Sequence, residues 1–260
     1  MQGISTRRLV IHALAVLLFV LFVFTLNDIF NAEWKGLLEI ASHKEETALL
    51  GAAGTIYLVH VLSPHVVPDA DERFYPLDLN QWAAMGSIRR ALLDVPEPAM
   101  QVEFVCVVSD SELEILSQAG LPCQRFETLK RSTRTRYPRL EPQIDLPFIG
   151  DIVDSATRDL TEANASFHVL ITNADIGLSK RLYGTLYKFL QKFDAVSINR
   201  MTIPKDQIPA FTNETDHLEN QVDSLLSAGT KHPGYDFFCI SSSVLDRISF
   251  GDFFLGRPTW

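Results

Sequence analysis

Two short stretches hold most of the residues whose types and spacing could do chemistry. Phe167-His168-Val169-Leu170-Ile171-Thr172 is an apolar run that ends in Asn173-Ala174-Asp175-Ile176, and His232-Pro233-Gly234-Tyr235-Asp236 precedes the aromatic pair Phe237-Phe238. If the first run is a strand that continues through its polar end, alternation points Asn173 and Asp175 the same way. Two oxygen-bearing side chains at a strand's carboxyl end can hold a hard divalent cation, Mn2+ or Mg2+, which prefers oxygen ligands and shares its shell with substrate phosphates. A departing diphosphate benefits from such a cation, because negative charge builds on it as it leaves. In the second stretch, Pro233-Gly234 reads as a sharp turn that fixes where Asp236 emerges. A carboxylate among aromatic rings on a shaped turn is a candidate general base for a hydroxyl. The plainer alternatives are an Asn/Asp turn that caps the next helix and a strand-initiating turn whose aspartate bonds nearby amides.

The elements that must position these residues alternate. Apolar, β-branched runs at Thr55–Leu62, Gln101–Val108, Phe167–Thr172, Phe193–Asn199 and Phe237–Ile240 read as strands. Helical spacing covers Leu79–Leu93, a segment capped by Ser109 or Asp110 that runs to Gln118 before Gly120, Pro147–Leu160, Lys180–Lys192 capped by Ser179, and Val244–Ile248. Strands alternating with helices imply βαβ crossovers, hence an α/β, Rossmann-like domain with a mainly parallel sheet flanked by helices. The carboxyl ends of parallel strands border the ligand crevice in such sheets, which is where Asn173 and Asp175 would fall. No Gly-x-Gly-x-x-Gly follows the first strand and no P-loop occurs, so the usual nucleotide fingerprints are missing.

Ahead of this domain, Leu9–Leu26 is apolar apart from His12 and Thr25, with Arg7 and Arg8 before it and Asp28 and Glu33 after it. Its 18 residues would make a helix about 27 Å long, close to a hydrocarbon core of about 30 Å. The flanking charges orient it as a signal anchor: residues 1–8 cytosolic, 9–26 transmembrane, 27–51 a stem, and 52–260 a lumenal domain of a type II protein of the Golgi or ER membrane. A cleaved signal peptide is the alternative, though Asn27-Asp28-Ile29-Phe30-Asn31-Ala32 offers a poor cleavage site. Either way the domain is translocated, which makes Asn164-Ala165-Ser166 and Asn213-Glu214-Thr215 candidate N-glycan acceptors. A net charge of −9 argues against a nucleic-acid binder. Cys106, Cys123 and Cys239 allow at most one bridge and leave one thiol; Cys106, inside a strand, reads as a plain buried thiol.

Leu146-Pro147-Phe148-Ile149 with Asp151-Ile152, then Thr172-Asn173-Ala174-Asp175-Ile176, Ser197-Ile198-Asn199-Arg200, Gly229 and His232-Pro233-Gly234-Tyr235-Asp236 occur in an order that resembles a glycosyltransferase-like family of the nucleotide-diphospho-sugar transferase (GT-A) group. The similarity spans residues 145–258, and its pieces are short. It is similar to a branch in which Asn-Ser-Asp-Ile or Asn-Ala-Asp-Ile replaces the usual Asp-x-Asp. The resemblance implies a metal-assisted transfer of sugar from a nucleotide-diphosphate donor to a hydroxyl of a glycan, protein or lipid acceptor. Asp175 would bind the metal and diphosphate with Asn173 beside it, and Asp236 would be the acceptor-side, catalytic carboxylate. Arg200 would meet a phosphate or carboxylate at the sheet edge, with His232 on the substrate side. Two departures stand out: one carboxylate where the common motif has two, and an apolar stop at Phe253-Phe254-Leu255-Gly256-Arg257-Pro258-Thr259-Trp260, which raises the expectation of a C-terminal truncation.

Other features are weaker. Arg125, Lys130, Arg131, Arg134, Arg136 and Arg139 form a basic segment that either draws in an anion or simply faces water, the commoner case. His12, His60 and His168 lack metal-ligand spacing, and Ser241-Ser242-Ser243 lacks the nucleophile elbow of serine hydrolases. Two other classes compete with the transferase: a catalytically inactive lumenal binding or scaffold protein on the same fold, and a lumenal hydrolase in which Asp175 and Asp236 face each other as an acid/base pair.

Overall fold

In the computed structural model, residues 54–72, 74–139, 146–203, 225 and 229–253 are described. The anchor, tail and stem, Asn213 and residues 254–260 lie outside them. Among the described residues no helix is long and apolar enough to cross a membrane.

Among the described residues six strands form one sheet: β1 (Ile56–Leu62), β2 (Met100–Val108), β3 (Arg125–Thr128), β4 (His168–Thr172), β5 (Ala195–Thr202) and β6 (Thr230–Ser241), in the order β3-β2-β1-β4-β6-β5. The helices with described bounds are α1 (Leu79–Leu92), α2 (Leu113–Gln118), α3 (Thr133–Arg136), α4 (Ile149–Glu162), α5 (Leu182–Leu190) and α6 (Ser242–Leu245). β1, β2 and β4 are covered on both faces, which is why they read as continuous apolar runs. Alternation splits their side chains cleanly. Val59, Val61, Val105, Val107, Val169 and Ile171 pack against Ile152, Val153 and Ala156 of α4. On the other face, Leu58 and Leu170 meet Tyr183, Leu186 and Leu190 of α5, while Leu62, Phe104 and Val108 meet Met85 and Ile88 of α1. α1 starts where predicted, with the Asp78 carboxylate accepting from the Gln81 amide at 2.9 Å.

The expected mainly parallel sheet is a mixed one. β3, β2, β1 and β4 are parallel, but β6 runs antiparallel to both β4 and β5. β6 is also much longer than the predicted strand at Phe237–Ile240, because the chain from His232 to Asp236, expected to be a sharp turn at Pro233-Gly234, is part of the strand. The pairing explains how a proline fits. Asn199 is opposite Tyr235 and Met201 is opposite Lys231, so β6 advances four residues while β5 advances two. This bulge takes up Pro233, which has no N–H to give a regular ladder.

A second correction concerns sulfur. Cys106 is not a plain thiol: it is bonded to Cys123, 17 residues on, with Cα atoms 5.7 Å apart. Cys106 on β2 pairs with Phe126 on β3, and the residues leading into β3 bring Cys123 alongside. The free thiol is Cys239, buried on β6, where burial pushes its pKa up to about 12.

Candidate functional site

The parallel block delivers the carboxyl ends of its strands to one edge of the sheet, and antiparallel β6 begins at that edge. β4 stops at Thr172 opposite Phe237, so Asn173 and Asp236 come next to each other just beyond the last pair. Asn173 Nδ2 donates to Asp236 Oδ1 at 3.4 Å, a long contact. From β5, Arg200 Nε lies 3.1 Å from Asp236 Oδ2, and His232 Nδ1 lies 3.6 Å from the same oxygen. That oxygen is buried yet receives no well-aligned hydrogen bond, so the Arg200 contact is one of charge rather than of direction. Asn199 Nδ2 donates to the His232 carbonyl at 3.2 Å and secures the bulge from the β5 side.

The contact between Arg200 Nη2 and His232 Nε2, at 3.0 Å, assigns a tautomer. A guanidinium has only donors, so Nε2 must accept, and a neutral His232 carries its proton on Nδ1, facing Asp236. Three elements thus converge on one carboxylate: the turn after β4, the end of β5 and the bulge of β6. Arg200 and Asp236 are each about one-fifth exposed, at 23% and 20% of the side chain, so the group is reachable from solvent.

Asp175 stands differently. The strand does not continue through it, and alternation therefore does not pair its direction with that of Asn173. Instead Ile176 N donates to Asn173 O at 3.2 Å, closing a turn in which Ala174 and Ile176 pack inward and Asp175 is exposed. The turn half of the plainer reading holds for residues 173–176. Among the described residues no three His, Cys, Asp or Glu side chains gather into a metal-binding group. The donors present suit a narrower role. One exposed carboxylate, Asp175, suits a Mg2+- or Mn2+-type ion that keeps its waters and shares substrate phosphates.

Directly behind this edge lies a polar chain that the sequence reading passed over as a strand histidine. His60 on β1 is completely buried, with Nδ1 2.7 Å from the Tyr183 hydroxyl and Nε2 3.0 Å from the Thr172 hydroxyl. Burial lowers the His60 pKa to about 3 and raises that of Tyr183. A neutral ring donates through one nitrogen and accepts through the other, so both hydroxyl partners are satisfied. The chain ties β1 and α5 to the last residue of β4, the one before Asn173. The only sequence signal for it was a histidine in an otherwise apolar strand.

No family model matches the chain, and no curated protein matches it. Thirteen chains of solved structure do. One is the 4-diphosphocytidyl-2C-methyl-D-erythritol synthase of Anaerococcus prevotii, with a TM-score of 0.36, 10% identity, and coverage of 74% of this chain and 72% of that one. Another structure of a 4-diphosphocytidyl-2C-methyl-D-erythritol synthase has a TM-score of 0.36 and 12% identity over 78% of this chain and 94% of that one. A likeness this remote carries no argument about fold or chemistry here.

Proposed function

We propose that the chain is a glycosyltransferase, moving a sugar from a nucleotide-diphosphate donor to a hydroxyl acceptor with the help of Mn2+ or Mg2+. The observation that carries this reading is the convergence of Asn173, Arg200 and His232 on the Asp236 carboxylate at the carboxyl edge of β4. Open α/β sheets bind ligands at that edge. Asp236 Oδ1, held only by a long contact, is the oxygen able to accept the proton of an acceptor hydroxyl or to anchor that hydroxyl. Arg200 fixes the other oxygen, and exposed Asp175 would hold a cation arriving with the donor diphosphate, a cation that neutralises leaving-group charge when bound. The Cys106–Cys123 bond is in keeping with an oxidising, secretory compartment, as the apolar segment 9–26 also suggests.

Purified protein supplied with a panel of nucleotide sugars and Mn2+ should release nucleoside diphosphate. Asp236→Asn and Asp175→Ala should each slow that release about 100-fold or more without altering the melting temperature appreciably. Either variant working at the wild-type rate would refute its assigned role. A non-catalytic binding protein is favoured by one observation: among the described residues Asp175 is a lone exposed carboxylate with no fuller metal-binding group around it. Binding of nucleoside diphosphate without any turnover of any donor is the result that reading predicts.

A further inference from the structure

Of the candidate glycan acceptors, Asn164-Ala165-Ser166 falls among the described residues, in the turn between α4 and β4. Backbone alone builds that turn, as a Schellman motif. Asn164 N donates to Thr161 O at 3.0 Å and Ala165 N donates to Leu160 O at 2.9 Å, which satisfies carbonyls that the end of α4 leaves over. Asn164 itself takes the left-handed conformation, φ 51°, that the motif requires and that asparagine tolerates better than most side chains. Capping therefore explains an asparagine at this position, but it leaves the side chain idle. Neither the Asn164 amide nor the Ser166 hydroxyl bonds to another group among the described residues, and every residue from Thr161 to Ser166 is exposed. The turn is fixed on its far side too. Phe167 is buried, its amide donates to the Ser242 hydroxyl at 3.4 Å, and its carbonyl accepts from the Ser242 amide at 2.8 Å.

We propose that Asn164 carries an N-linked glycan. An oligosaccharide passes to its Nδ2 from a lipid-linked pyrophosphate donor: the bond from sugar C1 to the pyrophosphate oxygen breaks, a C1–N bond forms, the amide gives up one proton and the lipid pyrophosphate leaves. Ser166, two residues on, supplies the hydroxyl that completes the acceptor triplet. The folded protein must then give room to a bulky, water-loving group. A free amide on an exposed turn held by its own backbone does so without strain. The glycan also stands clear of the candidate site. Asn164 precedes the amino end of β4, while Asn173 and Asp236 meet beyond its carboxyl end. β4 has 5 residues, about 16 Å at roughly 3.3 Å per residue, so the sugar chain leaves from the opposite edge of the sheet. Glycosylation depends on the secretory placement given under Proposed function, with which the Cys106–Cys123 bond is in keeping, and not on the transfer chemistry.

The test expresses the full chain in cultured animal cells with Asn213→Gln, which removes the other triplet and leaves Asn164 as the acceptor. The protein should run as a slower band that peptide N-glycosidase collapses to the unmodified mobility. Asn164→Gly, which suits the positive φ of the turn, and Ser166→Ala should each abolish the slower band, while Ser166→Thr, which preserves the triplet, should keep it. Protease treatment of intact membrane vesicles reports separately whether the domain is lumenal. A protected chain without the slower band, or a slower band that survives Asn164→Gly, would overturn the glycan and leave the lumenal placement standing. Digestion of the domain without detergent would overturn both. Neither result touches nucleotide-sugar turnover, which is assayed on the purified protein.

Discussion

Acidification should drain stability from this fold through His60. Its ring is fully buried between Tyr183 and Thr172, and burial holds its pKa near 3 against an ordinary value of 6.5. The native pKa is the lower one, so between about pH 6.5 and 3 the unfolded chain binds a proton that the native chain refuses. Stability is then full above the unfolded value and lost as pH falls, by roughly 5 kcal/mol at the limit and about 2 kcal/mol between pH 7.5 and 5. His168, whose pKa burial also lowers against the opposing pull of Asp194, adds loss of the same sign. Urea unfolding of wild type and His60→Gln at pH 7.5 and 5 isolates the His60 share, because every other group titrates in both. The variant starts lower, since its hydrogen bonds to the two hydroxyls are no longer ideal, by about 1–3 kcal/mol. It should lose about 2 kcal/mol less than wild type over the same pH interval. Parallel losses in the two proteins would show that His60 is not the neutral, dehydrated ring described above.

Other consequences follow from single contacts. Reducing the Cys106–Cys123 bond, which closes a loop over 17 residues, should cost about 3 kcal/mol by loop-closure entropy, read as a lower urea midpoint in reductant. The Cys239 thiol, buried and with its pKa pushed up to about 12, should resist iodoacetamide in the native protein and react on unfolding; rapid labelling of folded protein would contradict its placement. Arg131→Ala strands the Asp151 carboxylate, which is only 6% exposed, and should lower the melting temperature, though by less than breaking a fully buried pair because Arg131 is half exposed. The helix N-terminus beside Asp151 offsets part of that loss, and a melting temperature that does not move would show the pair to be idle.

The α/β class is legible because β1, β2 and β4 are sandwiched between helices, and such strands must be apolar throughout. Strand direction is not legible: nothing in the run Phe237–Ile240 distinguishes a parallel strand from the antiparallel β6 that is present. β3 escapes notice because Arg125-Phe126-Glu127-Thr128 is a short, charged edge strand, and Arg125 is matched by Glu103 and Glu127 rather than facing water alone. The candidate site divides the same way. Asn173, Arg200, His232 and Asp236 stand out by type and motif, but their meeting on one carboxylate depends on the Thr172–Phe237 and Asn199–Tyr235 pairings, which no local pattern encodes. Asp175 was assigned a direction by assuming that the strand ran on, and a turn hydrogen bond ends it earlier. His60 and Tyr183 are 123 residues apart, so their contact is a property of the fold alone.

Calorimetric titration of the purified protein with uridine, guanosine and cytidine diphosphates, with and without Mn2+, addresses the proposed donor site itself. At least one nucleoside diphosphate should bind tenfold or more tightly with the cation present, and Asp175→Ala should abolish that gain while keeping the cation-free affinity. Failure of all three nucleotides to bind, or an undiminished Mn2+ effect in Asp175→Ala, would contradict a donor site at the carboxyl edge of β4.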